Sequence, residues 1–450
     1  MLAAVAQKLK DETLRDAAMT FAIRVGSAGL AYGIQVFLAR TLQMQEYGIY
    51  AALWTFTIVA AHVAVFGFSE SSLRFIPRYM ARGRVACAEG FLTTGFKLIA
   101  GGSILLVALG LAVLWLAGSF IPAIYLAGLL VVLIGLPVAA MELYLEGVCR
   151  SFGWFALAIV PGYLVRPLLI GLAVVLWALS GHMPDAAFVL ATALVITGIS
   201  ALAQAFTVYR RLSRMAKPVM GSNRRSLWLR ASLPLVFVAG LEEIFISTDV
   251  LLLSLMGTPD EVALYFAAVR SMAIVNFVFY AFMIVSPRKF SVDNAGQDRA
   301  RLQETITETS NWTFWLTVPA VAITLAAGYP LLRLFGPEFT AAYPVMALIA
   351  LGYIARASVG PAADLLVVLG YQRASLLVSA AGIGVNVAFT IALYPVFGIA
   401  GVAAATAFAL AFRAGASAYV ARRHAGLNVF VTGWPALERG TPTEPVASNT

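Results

Sequence analysis

The residues with chemistry to offer are ionisable side chains set deep inside long apolar stretches. Arg24, Lys97, Arg166 and Arg270 fall in four different stretches, with Arg356 and Arg413 in later ones. The acids among them are Glu70, Glu142, Glu146, Glu242, Glu243, Asp249 and Asp364. A charge in the middle of an apolar span costs about 2.5–3.5 kcal/mol on insertion scales, so it faces a partner or a cavity. Glu70, Glu146 and Arg413 sit near span ends, where a long side chain reaches the headgroup layer. Guanidinium groups bind phosphate as a fork and keep their proton, so cations on four spans suit an anionic, phosphate-bearing headgroup. For Lys97 and Arg166 the competing reading is an interhelical ion pair with Glu142 or Glu146. Glu242 and Glu243 are adjacent, and Asp249 follows six positions on. Neighbouring carboxylates in low dielectric repel, so one could hold a proton or a cation and serve as an H⁺ or Na⁺ coupling site. Alternatively the pair diverges around the helix, one acid toward Arg270 and the other toward the headgroups.

The elements that carry these residues follow from composition. Of 450 residues 61% are hydrophobic and only 12% charged, a balance foreign to a water-soluble chain of this length. The apolar residues come in runs long enough to cross about 30 Å of hydrocarbon as helices. Lipid leaves no partner for a bare peptide group, and continuous runs choose helices over an alternating barrel pattern. The expected fold is an all-α, polytopic membrane protein. Twelve spans can be marked, at 17–38, 48–69, 91–117, 120–145, 154–179, 186–209, 231–256, 262–286, 312–335, 340–369, 374–394 and 398–421. Prolines within them (Pro137, Pro161, Pro167, Pro234, Pro319, Pro361) permit bends. Gly29-x-x-x-Gly33 would let another helix approach closely.

Charge orients the spans. With the N-terminus inside, 22 Lys and Arg residues lie in cytoplasmic segments against two outside, Arg40 and Arg333. Such asymmetry places both termini in the cytoplasm and accounts for the net charge of +9 without a nucleic-acid partner. The basic stretch before residue 231 divides the chain into two sets of six spans. Glu46-x-x-x-Tyr50 is echoed by Glu261-x-x-x-Tyr265 after 215 positions, and Pro77-Arg78 by Pro287-Arg288 after 210. Two matches at similar offsets point to an internal repeat. The expected organisation is a cytoplasmic N-terminus (1–16), an N-lobe (17–211), a basic cytoplasmic linker (212–230), a C-lobe (231–423) and a cytoplasmic tail (424–450). The Pro- and Thr-rich stretch from Leu427 onward reads as disordered.

Ordered short motifs carry a family resemblance. Phe37-Leu-Ala-Arg40 with Glu46-Tyr47-Gly48-Ile-Tyr50 resembles a signature of bacterial polysaccharide transporters. Leu73-Arg74-Phe75-Ile76-Pro77-Arg78, Tyr265-Phe-Ala-Ala-Val-Arg270, Leu334-Phe335-Gly336-Pro337-Glu338-Phe339 and Tyr394-Pro395-Val-Phe-Gly398 follow in the same order. These transporters belong to the multidrug/oligosaccharidyl-lipid/polysaccharide exporter (MOP) superfamily. The usual Leu-Gly after Arg40-Thr41 reads Leu42-Gln43 here. The resemblance implies two six-helix lobes forming a V around a central cavity. It also implies a flippase of the bacterial inner membrane for undecaprenyl-pyrophosphate-linked oligosaccharide, used in O-antigen, capsule or exopolysaccharide synthesis alongside polymerase machinery. Arg24, Arg270, Lys97 and Arg166 would then meet the pyrophosphate. A cation-coupled drug or metabolite exporter of the same superfamily, and a membrane glycan polymerase, are the alternatives.

Enzymatic readings have little to stand on. His62, His182 and His424 are scattered, which disfavours a His-based metal site, and no phosphate-binding loop occurs. No cofactor is expected. A polymerase would be expected to carry a large outer loop, and the outer loops here are short. Cys87 and Cys149 read as unpaired and structural.

Overall fold

The computed structural model describes residues 26–118, 121–214, 225–296 and 298–434. Nearly all of them are helical, and no strand occurs among them. A first helix, α1, covers 26–41. The first half continues with α2 (Met44–Ala64), α3 (Phe68–Met80), α4 (Val85–Ala117), α5 (Ala123–Ser151), α6 (Phe155–Val160), α7 (Arg166–Leu179) and α8 (Ala186–Ser213). The second holds α9 (Arg225–Met256), α10 (Pro259–Met272), α11 (Asn276–Ala295), α12 (Arg299–Ala326), α13 (Gly328–Phe335), α14 (Tyr343–Ala357), α15 (Ala362–Val368) and α16 (Gln372–Val420).

Among the described residues eight helices are long and apolar enough to cross a membrane, or nine when the bent pair α12–α13 counts as one span. This falls short of the twelve expected, for identifiable reasons. Residues before 26 lie outside the described ones, α9 carries five charges between Arg225 and Asp249, and α16 runs 49 residues through a reversal at Gly398. Gly398 has φ +56°, a conformation open to glycine without strain. The outward faces are bare hydrocarbon: Trp115, Leu116, Leu179 and Leu202 are each more than 70% exposed. Water would not tolerate such surface, whereas acyl chains do.

Successive helices leave short connections at one end of the bundle and longer basic ones at the other. Helix starts at the short-loop end are well capped. Asp185 accepts from Phe188 N at 2.7 Å, and Thr258 and Glu261 form a reciprocal capping box ahead of α10. Glu46, in the first turn of α2, accepts from Ala186 N at 2.8 Å. Proline acts as expected at Pro161, which opens a π turn (Pro161–Val165) directly before Arg166, and at Pro361, which separates α14 from α15. Cys87 and Cys149 are buried and form no disulfide.

The halves meet chiefly where α2 packs on α9 and α10. At Gly48 a Cβ would fall 1.8 Å from Pro259 O, so only a bare glycine allows α2 and α10 this close. The expected close approach at Gly29 and Gly33 is absent: a Cβ at either would meet nothing within 4 Å among the described residues. The close backbone approach between halves is made by α2 at Gly48 instead.

The basic stretch 212–230, expected as a linker, is helical from Arg225. Trp228 is fully buried against Phe91 and donates to Tyr79 Oη at 2.9 Å, while Ser232 donates to Ser71 at 2.7 Å. The start of α9 therefore packs on the first half, and its end on the second. The tail departs from expectation as well. Leu427 and Val429 are buried, Val431 N donates to Ser358 O at 2.8 Å, and Trp434 stacks on Trp315 at 3.9 Å. Residues 427–434 form an ordered strap over α12 and the α14–α15 corner, because apolar and amide groups in this short stretch find fitted partners. The remaining tail, 435–450, lies outside the described residues.

Candidate functional site

The cations proposed for an anionic headgroup part company. Arg24 lies outside the described residues, and Lys97 is exposed on α4. Arg166 and Arg270 come from the two halves, and both lie within electrostatic reach of the buried Tyr50 on α2. Arg166 donates to Glu142 Oε2 at 2.6 Å, the interhelical pair that competed with a ligand role, and its guanidinium lies 5.2 Å from the centre of Trp54. Tyr50 and Trp54 stack one helical turn apart at 6.3 Å.

Arg270 is the less satisfied of the two. Its guanidinium rests 4.4 Å over Phe266, and its Nε is buried with no hydrogen-bond partner among the described residues. A buried guanidinium donor without an acceptor is costly in a protein at rest and useful where an anion arrives. Tyr47, beside it, donates to Gln35 Oε1 at 3.2 Å. Two guanidiniums, two stacked aromatic rings and an amide are thus set along α2: Arg166 at Trp54, Arg270 within electrostatic reach of Tyr50, and Gln35 at Tyr47.

The three acids proposed for coupling are also separated. Glu242 pairs with Arg413, 171 positions later, and not with Arg270. Arg413 lies 4.7 Å from the centre of Phe245, and Arg356 and Asp364 complete a four-charge group with no net charge. Arg413 is therefore an ion-pair partner rather than a free headgroup anchor. Glu243 accepts from Ser247 at 3.4 Å on its own helix. Asp249 alone is deeply buried, 4% exposed, and no basic side chain pairs with it among the described residues. It accepts from Tyr265 Oη at 2.7 Å, and the same phenol contacts Thr406 Oγ1 at 3.2 Å. Asn386 reaches Thr406 at 3.5 Å and accepts from Thr390 at 3.2 Å.

Reading charges alone misses Tyr50, Trp54, Gln35, Thr406, Asn386 and Thr390. The available signal was weak: polar residues in mid-span, and Tyr50 and Tyr265 as counterparts in the repeat. A separate polar cleft of about 360 Å³, lined by Asp293, Asp298, Arg299, Tyr371 and His424, opens at the basic-loop end. Among the described residues no cluster of His, Cys, Asp and Glu could hold a metal ion.

This architecture is that of the MOP-superfamily transporters. An inward-facing multidrug resistance MATE family transporter superposes with a TM-score of 0.69 at 14% identity, over 86% of this chain and 91% of its own. The lipid II flippase MurJ in an inward closed conformation gives 0.70 at 14%, over 90% and 87%. A MOP transporter from Pyrococcus furiosus, described as having a binding pocket of reverse polarity, gives 0.62 at 12%, over 89% and 92%. Identities this low speak to fold alone. No curated protein matches in sequence. The profile of the family described as "Polysaccharide biosynthesis protein" matches residues 13–291, and the chain belongs to that family.

Proposed function

We propose that this chain is a flippase that carries an undecaprenyl-pyrophosphate-linked oligosaccharide from the cytoplasmic to the outer leaflet of a bacterial inner membrane. The observation that carries the reading is the pair Arg166 and Arg270, one from each half and both within electrostatic reach of Tyr50, with Arg270 Nε buried and unpartnered among the described residues. A pyrophosphate there would complete the donor set, and the stacked Tyr50–Trp54 edge and Gln35 would border the first sugar. The polyprenyl chain would remain in lipid. Membership of a polysaccharide biosynthesis family and the fold shared with a lipid II flippase support this cargo class.

In this reading twelve spans form two six-helix lobes, the basic loops and both termini face the cytoplasm, and the lobes alternate access to the site. Arg24 and Lys97 would serve entry of the headgroup. No bond in the cargo changes, so the protein acts as a carrier that supplies polymerase machinery. Moving a pyrophosphate of charge about −2 out of an inside-negative cell gains roughly 2.3 kcal/mol per charge per 100 mV.

Asp249 favours a second element, coupling to H⁺ or Na⁺. It is a buried acid without a basic partner among the described residues, bordered by Tyr265, Thr406, Asn386 and Thr390, all oxygen-bearing groups. Coupling narrows from three acids to this one, since Glu242 and Glu243 are otherwise engaged. A cation-coupled drug exporter would use the same acid, but Arg166 and Arg270 favour an anionic cargo.

The test is mass spectrometry of lipid-linked glycans in a strain lacking the gene, complemented by wild type or Arg270→Ala. We expect one undecaprenyl-pyrophosphate glycan to accumulate, and wild type but not the variant to clear it. An unchanged glycan profile, with drug sensitivity instead, would transfer the reading to the exporter.

A further inference from the structure

The short-loop end of the molecule holds a contact between the halves that the cargo reading does not use. Arg40, at the last turn of α1, donates through Nε to Leu334 O and through Nη2 to Arg333 O, both at 2.7 Å. Those carbonyls belong to the final turn of α13, which stops at Gly336. The last carbonyls of a helix have no partner within it and lie at the negative end of its dipole. A guanidinium fork meets two of them at once, which a lysine ammonium cannot do in fixed geometry. Tyr32, two turns earlier on α1, donates to Leu331 O at 3.1 Å, so α1 holds three of the four carbonyls from Leu331 to Leu334.

Beneath these polar contacts lies an aromatic layer. Phe335 is met edge-on by Tyr32 at 5.4 Å, and Tyr47 of α2 sits about 6 Å from the rings of Phe266, Phe335 and Phe339. Ser271 lies under it, fully buried and within 3.3 Å of Tyr32 Oη. The two motif segments, Phe37–Arg40 and Leu334–Phe339, are therefore the two faces of one seam.

We propose that Arg40 and the α13 carboxyl end form the latch of the outer gate, closed here, which must part each time the carrier opens outward. The chemistry suits a reversible contact. Arg40 is exposed, and its charge and the released carbonyls are readily hydrated when the seam opens, so the latch biases the gate without locking it. The aromatic layer below excludes water while the gate is shut. The proposal rests on the alternating-access reading and on the basic loops facing the cytoplasm, and not on the identity of the cargo.

The experiment places a reporter beneath the seam, Ser271→Cys, in right-side-out membrane vesicles. A membrane-impermeant maleimide is added, and labelling by Cys87 and Cys149 is subtracted using the chain without the reporter. Arg40→Ala is expected to raise the labelling rate about tenfold, since two hydrogen bonds favouring the closed state are lost. Arg40→Lys is expected to fall between the two. Tyr32→Phe keeps the ring against Phe335 but removes the bond to Leu331 O, and should raise labelling by a smaller factor. It also stands as the test if Arg40→Ala does not accumulate folded. Labelling at the parental rate in both variants would overturn the latch, as would a rise seen only in inside-out vesicles. No glycan enters this assay, so a failed cargo assignment and a failed latch remain distinguishable.

Discussion

Tyr265 donates its phenolic proton to Asp249 Oδ2 at 2.7 Å, joining α10 to α9 at a point where Thr406 of α16 also converges. Three helices of the second half are pinned by one buried carboxylate. If that carboxylate binds the coupling ion, any change in its occupancy is transmitted to all three. Asp249→Asn preserves shape while removing the charge, so the protein should fold with a loss of about 1–3 kcal/mol. In proteoliposomes with imposed H⁺ or Na⁺ gradients its transport should no longer respond to the gradient. A full gradient response in the variant would remove Asp249 from coupling.

The ion pair between Arg166 and Glu142 is interhelical and mostly shielded, with side chains 22% and 13% exposed. Arg166→Ala leaves a carboxylate stranded in a low-dielectric site. Its cost should approach, without reaching, the roughly 3–5 kcal/mol of fully buried pairs. The double variant Arg166→Gln with Glu142→Gln should be more stable than Arg166→Ala alone. Thermal unfolding in detergent across the double-mutant cycle measures the difference, and additive costs would show that the pair contributes nothing.

Glycine positions give opposite predictions. Gly48→Ala drives a methyl into Pro259 O and must push α2 away from α10, costing at least the roughly 1–3 kcal/mol typical of overpacking. Gly29→Ala and Gly33→Ala meet no neighbour among the described residues and should be neutral or stabilising by up to about 1 kcal/mol. Unfolding temperatures of the three variants decide the matter.

The strap after α16 is open to a similar measurement. Leu427 is 3% exposed within a cluster that includes Leu302, Ile306 and Leu366. Leu427→Ala should cost about 2–5 kcal/mol, the range for buried leucines. Trp434→Ala should cost less, because Trp434 is 76% exposed and stacks on one face only. Equal and negligible effects would mean that the strap is not fastened in solution.

The sequence by itself determined the solvent and the secondary structure. Runs of apolar residues must be helical in lipid because each peptide group has to find its partner within the same segment, and that is a local property. The imbalance of Lys and Arg between alternate loops is equally local, and so is the capping box at Thr258 and Glu261. Tertiary structure alone decided which charges meet. Arg166 found Glu142, one of the partners expected, but Glu242 found Arg413 and not Arg270. Gly48 rather than Gly29 and Gly33 took the close helix contact, and Leu427 to Trp434 folded back onto the bundle. In a membrane helix an apolar residue facing lipid is chemically equivalent to one facing a neighbouring helix, so hydropathy leaves the rotation of each helix about its axis undetermined. That rotation brings Tyr265, Asp249 and Thr406 to one point, and it is fixed only when the whole set of helices packs.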